Sequence, residues 1–257
     1  MSEPTLDTAL AGLAASARTV GALVALDFDG VLAPLVDDPA ASRPLPAAAA
    51  ALDRIARGPA HLALVSGRVL AELVDLARPP EGTHLVGGHG AERGLWRDGR
   101  LERDELRLSP AQAALLAELT ERMTALVAGT TARVERKPAA VVLHTRTASP
   151  DDAARLTAAA AALGDRPGID AMRGKNVVEL AVLDVSKGRA LEALRAELGV
   201  GTLLYAGDDV TDERAFAVLR ADDVTIRVGP GDTAARWRVA DPVELAAALT
   251  RLADLLE

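Results

Sequence analysis

No cysteine occurs among the 257 residues of the chain. That excludes disulfides, thiolate nucleophiles and cysteine-based zinc sites. Aromatic residues are almost as scarce, with two Trp, one Tyr and two Phe making 2% of the sequence. Alanine, leucine and valine must therefore fill the core that 49% hydrophobic residues can build, and few flat surfaces remain for stacking on bases. There is no basic excess either, since the formal net charge is −8. Duplex binding needs a field of Lys and Arg, so nucleic acid is not an expected partner. Met1 to Val20 carries acidic residues and no long uncharged apolar run, unlike a signal peptide. No apolar run is long enough for a bilayer, so a cytoplasmic protein without a membrane partner is expected.

What the sequence does contain is an alternation of short buried strands and amphipathic helices. A helix over 5–18 precedes the apolar run Ala22-Leu23-Val24-Ala25-Leu26, which suits a strand buried on both faces. A helix over 47–57, a strand at 62–65, a helix over 69–77 and a strand at 83–87 follow. This order predicts a parallel sheet with helices on its faces.

The middle of the chain reads differently. Ser109 and Pro110 open a helix over 109–128 as N-cap and first helical residue. Strands at 132–136 and 141–145, a helix over 150–163 and strands at 169–173 and 177–183 come next. Short connections between neighbouring strands predict an antiparallel sheet with two helices on one side. The first pattern then resumes with a helix over 187–198, a strand at 202–206, a helix over 211–220, a strand at 224–228 and a helix over 242–255.

Chemistry-bearing residues fall at the strand ends and helix starts of the first pattern. Asp27 and Asp29, separated only by Phe28, follow the first buried strand, where open α/β sheets place ligands. Two carboxylates so close repel unless a cation is present. A functional reading makes Asp27 a nucleophile and Asp29 a general acid/base beside a divalent metal, and oxygen ligands favour Mg²⁺. A plain Asx turn is the alternative. Ser66, before Gly67 at the end of the second strand, suits a phosphate oxygen or an ordinary helix N-cap. Lys187 opens a helix, where its charge opposes the helix dipole; it could neutralise a phosphoryl group or be a solvated surface lysine. Gly207-Asp208-Asp209-Val210-Thr211-Asp212-Glu213 puts four acidic residues into six positions directly after a core strand. Like charges so placed are costly unless a cation compensates them, which favours a metal site.

In this order the segments Asp27-Phe28-Asp29-Gly30, Ser66, Lys187 and Gly207-Asp208-Asp209 resemble the four motifs of the haloacid dehalogenase (HAD) superfamily of phosphatases. The chain is more narrowly similar to the trehalose-6-phosphate phosphatase family. That similarity rests on Leu26 to Pro34, Val65 to Arg68, Gly88 to Glu92, Val134 to Lys137, Gly174 to Glu179 and Gly207 to Glu213. It implies an α/β fold: a HAD-like Rossmannoid parallel-sheet core at residues 1–96 and 183–257, with an inserted α+β cap domain at residues 97–182.

The resemblance also implies roles. Asp27 would form an aspartyl-phosphate, and Asp29 would protonate the leaving sugar oxygen and then activate water. Ser66 and Lys187 would hold the phosphoryl oxygens. Mg²⁺ would sit on the Asp27 carboxylate, the Asp29 backbone carbonyl and Asp208, with Asp209 or Asp212 in support. Glu135, Lys137, Lys175 and Glu179 of the cap would meet sugar hydroxyls, joined by Arg68, His89 and Glu92 from the core rim. The implied partner is a small-molecule sugar phosphate handled by a monomer, with a functional link to a trehalose-6-phosphate synthase. Sucrose phosphate, mannosylglycerate phosphate or a catalytically silent sugar-phosphate-binding role are the alternatives. His144 reads as a structural histidine, and Trp96 and Trp237 receive no role. The stretch Ala181-Val182-Leu183-Asp184 is more apolar than the family pattern leads one to expect after Glu179.

Overall fold

The computed structural model describes residues 4–105, 108–183 and 185–257; Asp184, the end of the apolar stretch noted above, lies outside them. In chain order the elements are α1 (Leu6–Ala17), β1 (Ala22–Leu26), α2 (Pro46–Arg57), β2 (His61–Val65), α3 (Leu70–Ala77), β3 (His84–Gly87), β4 (Glu92–Arg97) and β5 (Arg100–Arg103). Then come α4 (Pro110–Leu126), β6 (Arg133–Arg136), β7 (Ala140–His144), α5 (Pro150–Gly164), β8 (Asp170–Gly174) and β9 (Val177–Ala181). The chain closes with α6 (Lys187–Leu198), β10 (Thr202–Gly207), α7 (Val210–Phe216), β11 (Val224–Val228), β12 (Trp237–Val239) and α8 (Pro242–Leu256).

Two compact units result, one reaching to Asp104 and resuming at Ser186–Glu257, the other spanning Glu105–Val185. The first unit thus extends past the expected boundary at residue 96. The reason is the β4–β5 hairpin, in which Arg97 pairs with Arg100 across Asp98-Gly99. Both turn residues have positive φ, 52° and 66°, as a two-residue primed turn requires.

The first unit is an eight-stranded sheet in the order β12-β11-β10-β1-β2-β3-β4-β5. Strands β12 to β3 of that order run parallel, β4 is antiparallel to β3, and β5 is antiparallel to β4. All five residues of β1 are buried, as a central strand covered on both faces demands. Alternate residues face opposite layers. Val24 and Leu26 pack with Leu10, Leu52, Ile55, Leu73 and Leu249, so α1, α2, α3 and α8 cover one face. Leu23 and Ala25 pack with Leu191, Leu194 and Phe216 of α6 and α7 on the other. The two tryptophans have structural places. Trp96 packs against the first layer, while Trp237 donates from Nε1 to the Pro4 carbonyl, 3.1 Å, under the Arg236 guanidinium, 4.7 Å from the ring centroid. Helix α7 ends at Phe216, four residues before the expected 220.

The second unit is an antiparallel sheet in the order β6-β7-β9-β8. Leu116, Leu119 and Met123 of α4 and Leu156 and Ala160 of α5 pack on Val141, Leu143, Val178 and Leu180. Both helices therefore cover one face. By strand alternation Glu135, Val142, His144, Met172 and Glu179 lie on the other.

Candidate active site

The carboxyl ends of β1, β2 and β10 and the start of α6 bring the first-unit motifs together. Asp27 extends the ladder by one bond, its amide donating to the Ala206 carbonyl, 3.0 Å. After it the chain doubles back: Leu32 and Ala33 both donate to the Phe28 carbonyl, and Gly30 donates to Ala33. This turn requires φ of +75° at Gly30, which glycine adopts without penalty. A Cβ there would come 2.1 Å from Asp208 Oδ2, so the glycine also clears the place of that carboxylate.

Lys187 is the first residue of α6, which Ser186 caps by accepting from the Arg189 amide, 3.2 Å. Its ammonium lies between Asp27 Oδ2, 2.9 Å, and Asp212 Oδ1, 2.7 Å. Burial works against its charge, but Asp27 and Asp212 override that and raise its pKa. Asp27 is pushed well above the usual carboxylate range, chiefly by burial; Lys187 pulls it down, and Asp212, Asp209 and Asp208 push it further up.

Asp212 is fully buried and accepts from four groups. Lys187 Nζ and the Tyr205 hydroxyl donate to Oδ1, and the amides of Asp208 and Asp209 donate to Oδ2 at 2.9 and 3.0 Å. Burial and the negative field of Asp212 keep Tyr205 a phenol that donates. Asp209 is the N-cap of α7, its Oδ1 accepting from the Thr211 amide and hydroxyl and from the Asp212 amide. Burial opposes its charge, yet Lys187 and those hydrogen bonds hold its pKa at about 2. Asp208 is raised to about 7 by burial, Asp212 and Asp209.

Asp27, Asp208 and Asp212 each offer an oxygen, and these oxygens lie within 4.8 Å of one another. Four carboxylates around one lysine leave excess negative charge, and all the donors are hard oxygens. Such a set fits a divalent cation of the magnesium type. Of the two aspartates that sequence leaves open as metal support, Asp212 belongs to this cluster and Asp209 caps a helix.

Asp29 faces another way. Arg68 Nε and Nη2 donate to its two oxygens at 2.6 and 2.8 Å, and the buried Ser42 hydroxyl donates to Oδ1 at 2.9 Å. Arg68 also reaches the Pro39 carbonyl, 3.0 Å, and lies 5.7 Å from the Phe28 ring centroid. The structure thus commits Arg68 to Asp29. Ser66 is buried, its Oγ accepting from the Arg68 amide at 3.2 Å. The His89 amide donates to the Ser66 carbonyl, 3.0 Å, and the His89 ring fills the place a Cβ on Gly67 would need. Glu92 is buried at the start of β4 with Arg103 at 3.9 Å.

In the second unit Lys137 Nζ pairs with Glu179 Oε2 at 2.7 Å, and His144 Nε2 pairs with Glu135 Oε2 at 2.7 Å. Lys175 is exposed in the β8–β9 turn. Tyr205 and Ser42 escaped sequence reading. Tyr205 had a signal, as the one tyrosine of the chain just before the acidic cluster; Ser42 had none.

A model of the trehalose-phosphatase family matches residues 25–245, which takes in every one of these residues. The chain belongs to that family. It is 35% identical over 252 residues to a trehalose-phosphate phosphatase of Mycobacterium avium, covering 91% of this chain and 62% of that protein. It is 37% identical over 182 residues to the trehalose-6-phosphate phosphatase of Escherichia coli, covering 70% and 66%. The chain therefore spans less than two thirds of the length of these relatives. A crystal structure of a trehalose-6-phosphate phosphatase related protein superposes with TM-score 0.72 at 27% identity, covering 91% of this chain and 97% of that one. A haloacid dehalogenase-like hydrolase of B. subtilis shares the fold, with TM-score 0.67 at 13% identity. The α/β fold is thus HAD-like. Among the described residues no helix is long and apolar enough to cross a membrane.

Proposed function

We propose that the chain is a Mg²⁺-dependent phosphatase that hydrolyses trehalose 6-phosphate to trehalose and phosphate through an aspartyl-phosphate on Asp27. The observation carrying this reading is the buried Lys187 bridge between Asp27 and Asp212, within 4.8 Å carboxylate reach of Asp208. A carboxylate held against an ammonium, beside a cation site, is equipped to attack a phosphoryl group rather than to fill a core.

In the first step an Asp27 oxygen attacks phosphorus and the bond to the sugar oxygen breaks. That oxygen leaves with a proton from Asp29. In the second, Asp29 takes a proton from water, whose oxygen attacks the aspartyl-phosphate; phosphate departs and the Asp27 carboxylate is restored. Lys187 and Ser66 hold the phosphoryl oxygens. Asp27, Asp208 and the Asp29 carbonyl would hold Mg²⁺, with Asp212 orienting the loop that carries Asp208. The ion, when bound, would offset the charge of phosphoryl group and nucleophile.

The sugar hydroxyls are read by Glu135, Lys137, Lys175 and Glu179, with His89 and Glu92 as further contacts; carboxylates accept from hydroxyls and ammonium groups donate to them. A trehalose-6-phosphate synthase would supply the substrate. The test is kcat/KM over a panel of sugar phosphates with Mg²⁺ added or chelated. Trehalose 6-phosphate should lead the panel and chelation should abolish turnover. If it were no better than glucose 6-phosphate, the substrate assignment would fail.

A further inference from the structure

On the helix-free face of the second unit's sheet, the carboxylates of Glu135 and Glu179 are each held by a cationic or ring donor from another strand or strand end. Lys137, just beyond β6, holds Glu179 of β9 at 2.7 Å, with 11% and 7% of their side chains exposed. His144 of β7 holds Glu135 of β6 at 2.7 Å, with 25% and 31% exposed. The register explains the second pair. His144 stands opposite Arg133 and Glu135 opposite Val142, so the two are diagonal neighbours on one face. Arg133 adds a weaker contact to the same Glu135 oxygen, 3.8 Å. In this pairing His144 is assigned as the donor from Nε2 to Glu135 Oε2; the other Glu135 oxygen keeps its acceptor directions for a ligand.

We propose that His144 is a positioning residue for substrate recognition, holding Glu135 in the orientation in which it accepts from a sugar hydroxyl. The inference rests on the reading that Glu135 meets the sugar. A free glutamate on a sheet surface samples several rotamers, and a ligand that must order it binds more weakly for doing so. A donor fixed on the neighbouring strand removes that cost beforehand.

The competing explanation is a cross-strand pair that serves the sheet alone. Four variants separate the two: Glu135→Gln, His144→Ala, His144→Gln and the double variant Glu135→Gln/His144→Ala. Each would be measured for KM and kcat on trehalose 6-phosphate and for thermal midpoint. We expect His144→Ala to raise KM about tenfold, about 1.4 kcal/mol, with kcat changed far less. His144→Gln, which can present an amide N–H near the Nε2 position, should recover most of the loss. The double variant should be no worse than Glu135→Gln alone. A His144→Ala KM equal to wild type beside a raised Glu135→Gln KM would overturn the proposal, as would effects that multiply in the double variant. Glu135→Gln with wild-type KM would instead overturn the sugar role of Glu135 on which it rests. Should His144→Ala fail to fold, His144→Phe, which keeps a ring but donates nothing, takes its place: a raised KM that His144→Gln recovers supports the proposal, and a wild-type KM opposes it.

Discussion

Lys187 and Asp27 meet inside the protein, ammonium nitrogen 2.9 Å from carboxylate oxygen, with 1% and 7% of their side chains exposed. Removing one partner of a buried pair strands the other, at a cost of about 3–5 kcal/mol. Here Lys187→Met would strand Asp27 and Asp212 together. We expect a large fall in thermal midpoint, greater in chelator than in Mg²⁺, and kcat lower by at least about 10²-fold. A variant that kept its stability without metal would show that the lysine does not balance these carboxylates.

The pH dependence of stability follows from Asp208. Its pKa in the fold is about 7, far above an ordinary aspartate, because of burial, Asp212 and Asp209. A carboxyl raised in the folded state favours folding when protonated, and that contribution is lost as pH rises through about 7. Chelated protein should therefore lose thermal midpoint from about pH 4, where an ordinary aspartate ionises, up to about pH 7, and level off above it. On the proposed assignment Mg²⁺ would bind the ionised form, so its stabilising effect should grow over the same interval. Midpoints with and without Mg²⁺, followed across that interval in wild type and Asp208→Asn, check this; the asparagine variant should show the weaker slope.

The same residues show what could be read before the structure. Strand β1 and helix α6 were legible because a five-residue apolar run and the Ser186 and Gly199 ends are local signals. Asp27, Lys187, Asp208 and Asp212 were legible because each follows or begins such an element. The β4–β5 hairpin was not, since its polar, half-exposed strands lack an apolar run; only Asp98-Gly99 marked it. The bonds of Asp29 to Ser42 and Arg68 join positions 13 and 39 residues apart. No local pattern encodes them, so the pairing of Arg68 with Asp29 could not be read, and Arg68 entered only through the resemblance.

Gly30 gives a test of the loop geometry. With φ of +75° and a Cβ position 2.1 Å from Asp208 Oδ2, Gly30→Ala must strain the turn by about 1–2 kcal/mol and displace the Asp208 carboxylate, proposed above to hold the cation. Activity should fall much further than stability, and calorimetric titration should show weakened Mg²⁺ affinity. An alanine variant with wild-type Mg²⁺ affinity would mean that Asp208 can move aside without consequence for the cation.

Arg68 and Ser42 together occupy both oxygens of Asp29. A bidentate guanidinium pair uses both carboxylate oxygens, whereas passing a proton to a leaving sugar oxygen needs one of them turned to the substrate. In the proposed mechanism Asp29 would exchange this clamp for the substrate in each turnover, starting from the position the clamp sets. Arg68→Met should lower kcat/KM for trehalose 6-phosphate by about 10–10²-fold through mispositioned proton transfer. Hydrolysis of p-nitrophenyl phosphate, whose leaving group departs without a proton, should fall much less. If Arg68 instead touched the sugar, the variant would raise KM for sugar phosphates at constant kcat. An equal loss in kcat on both substrates would place its action on the phosphoryl group, away from the proton on Asp29.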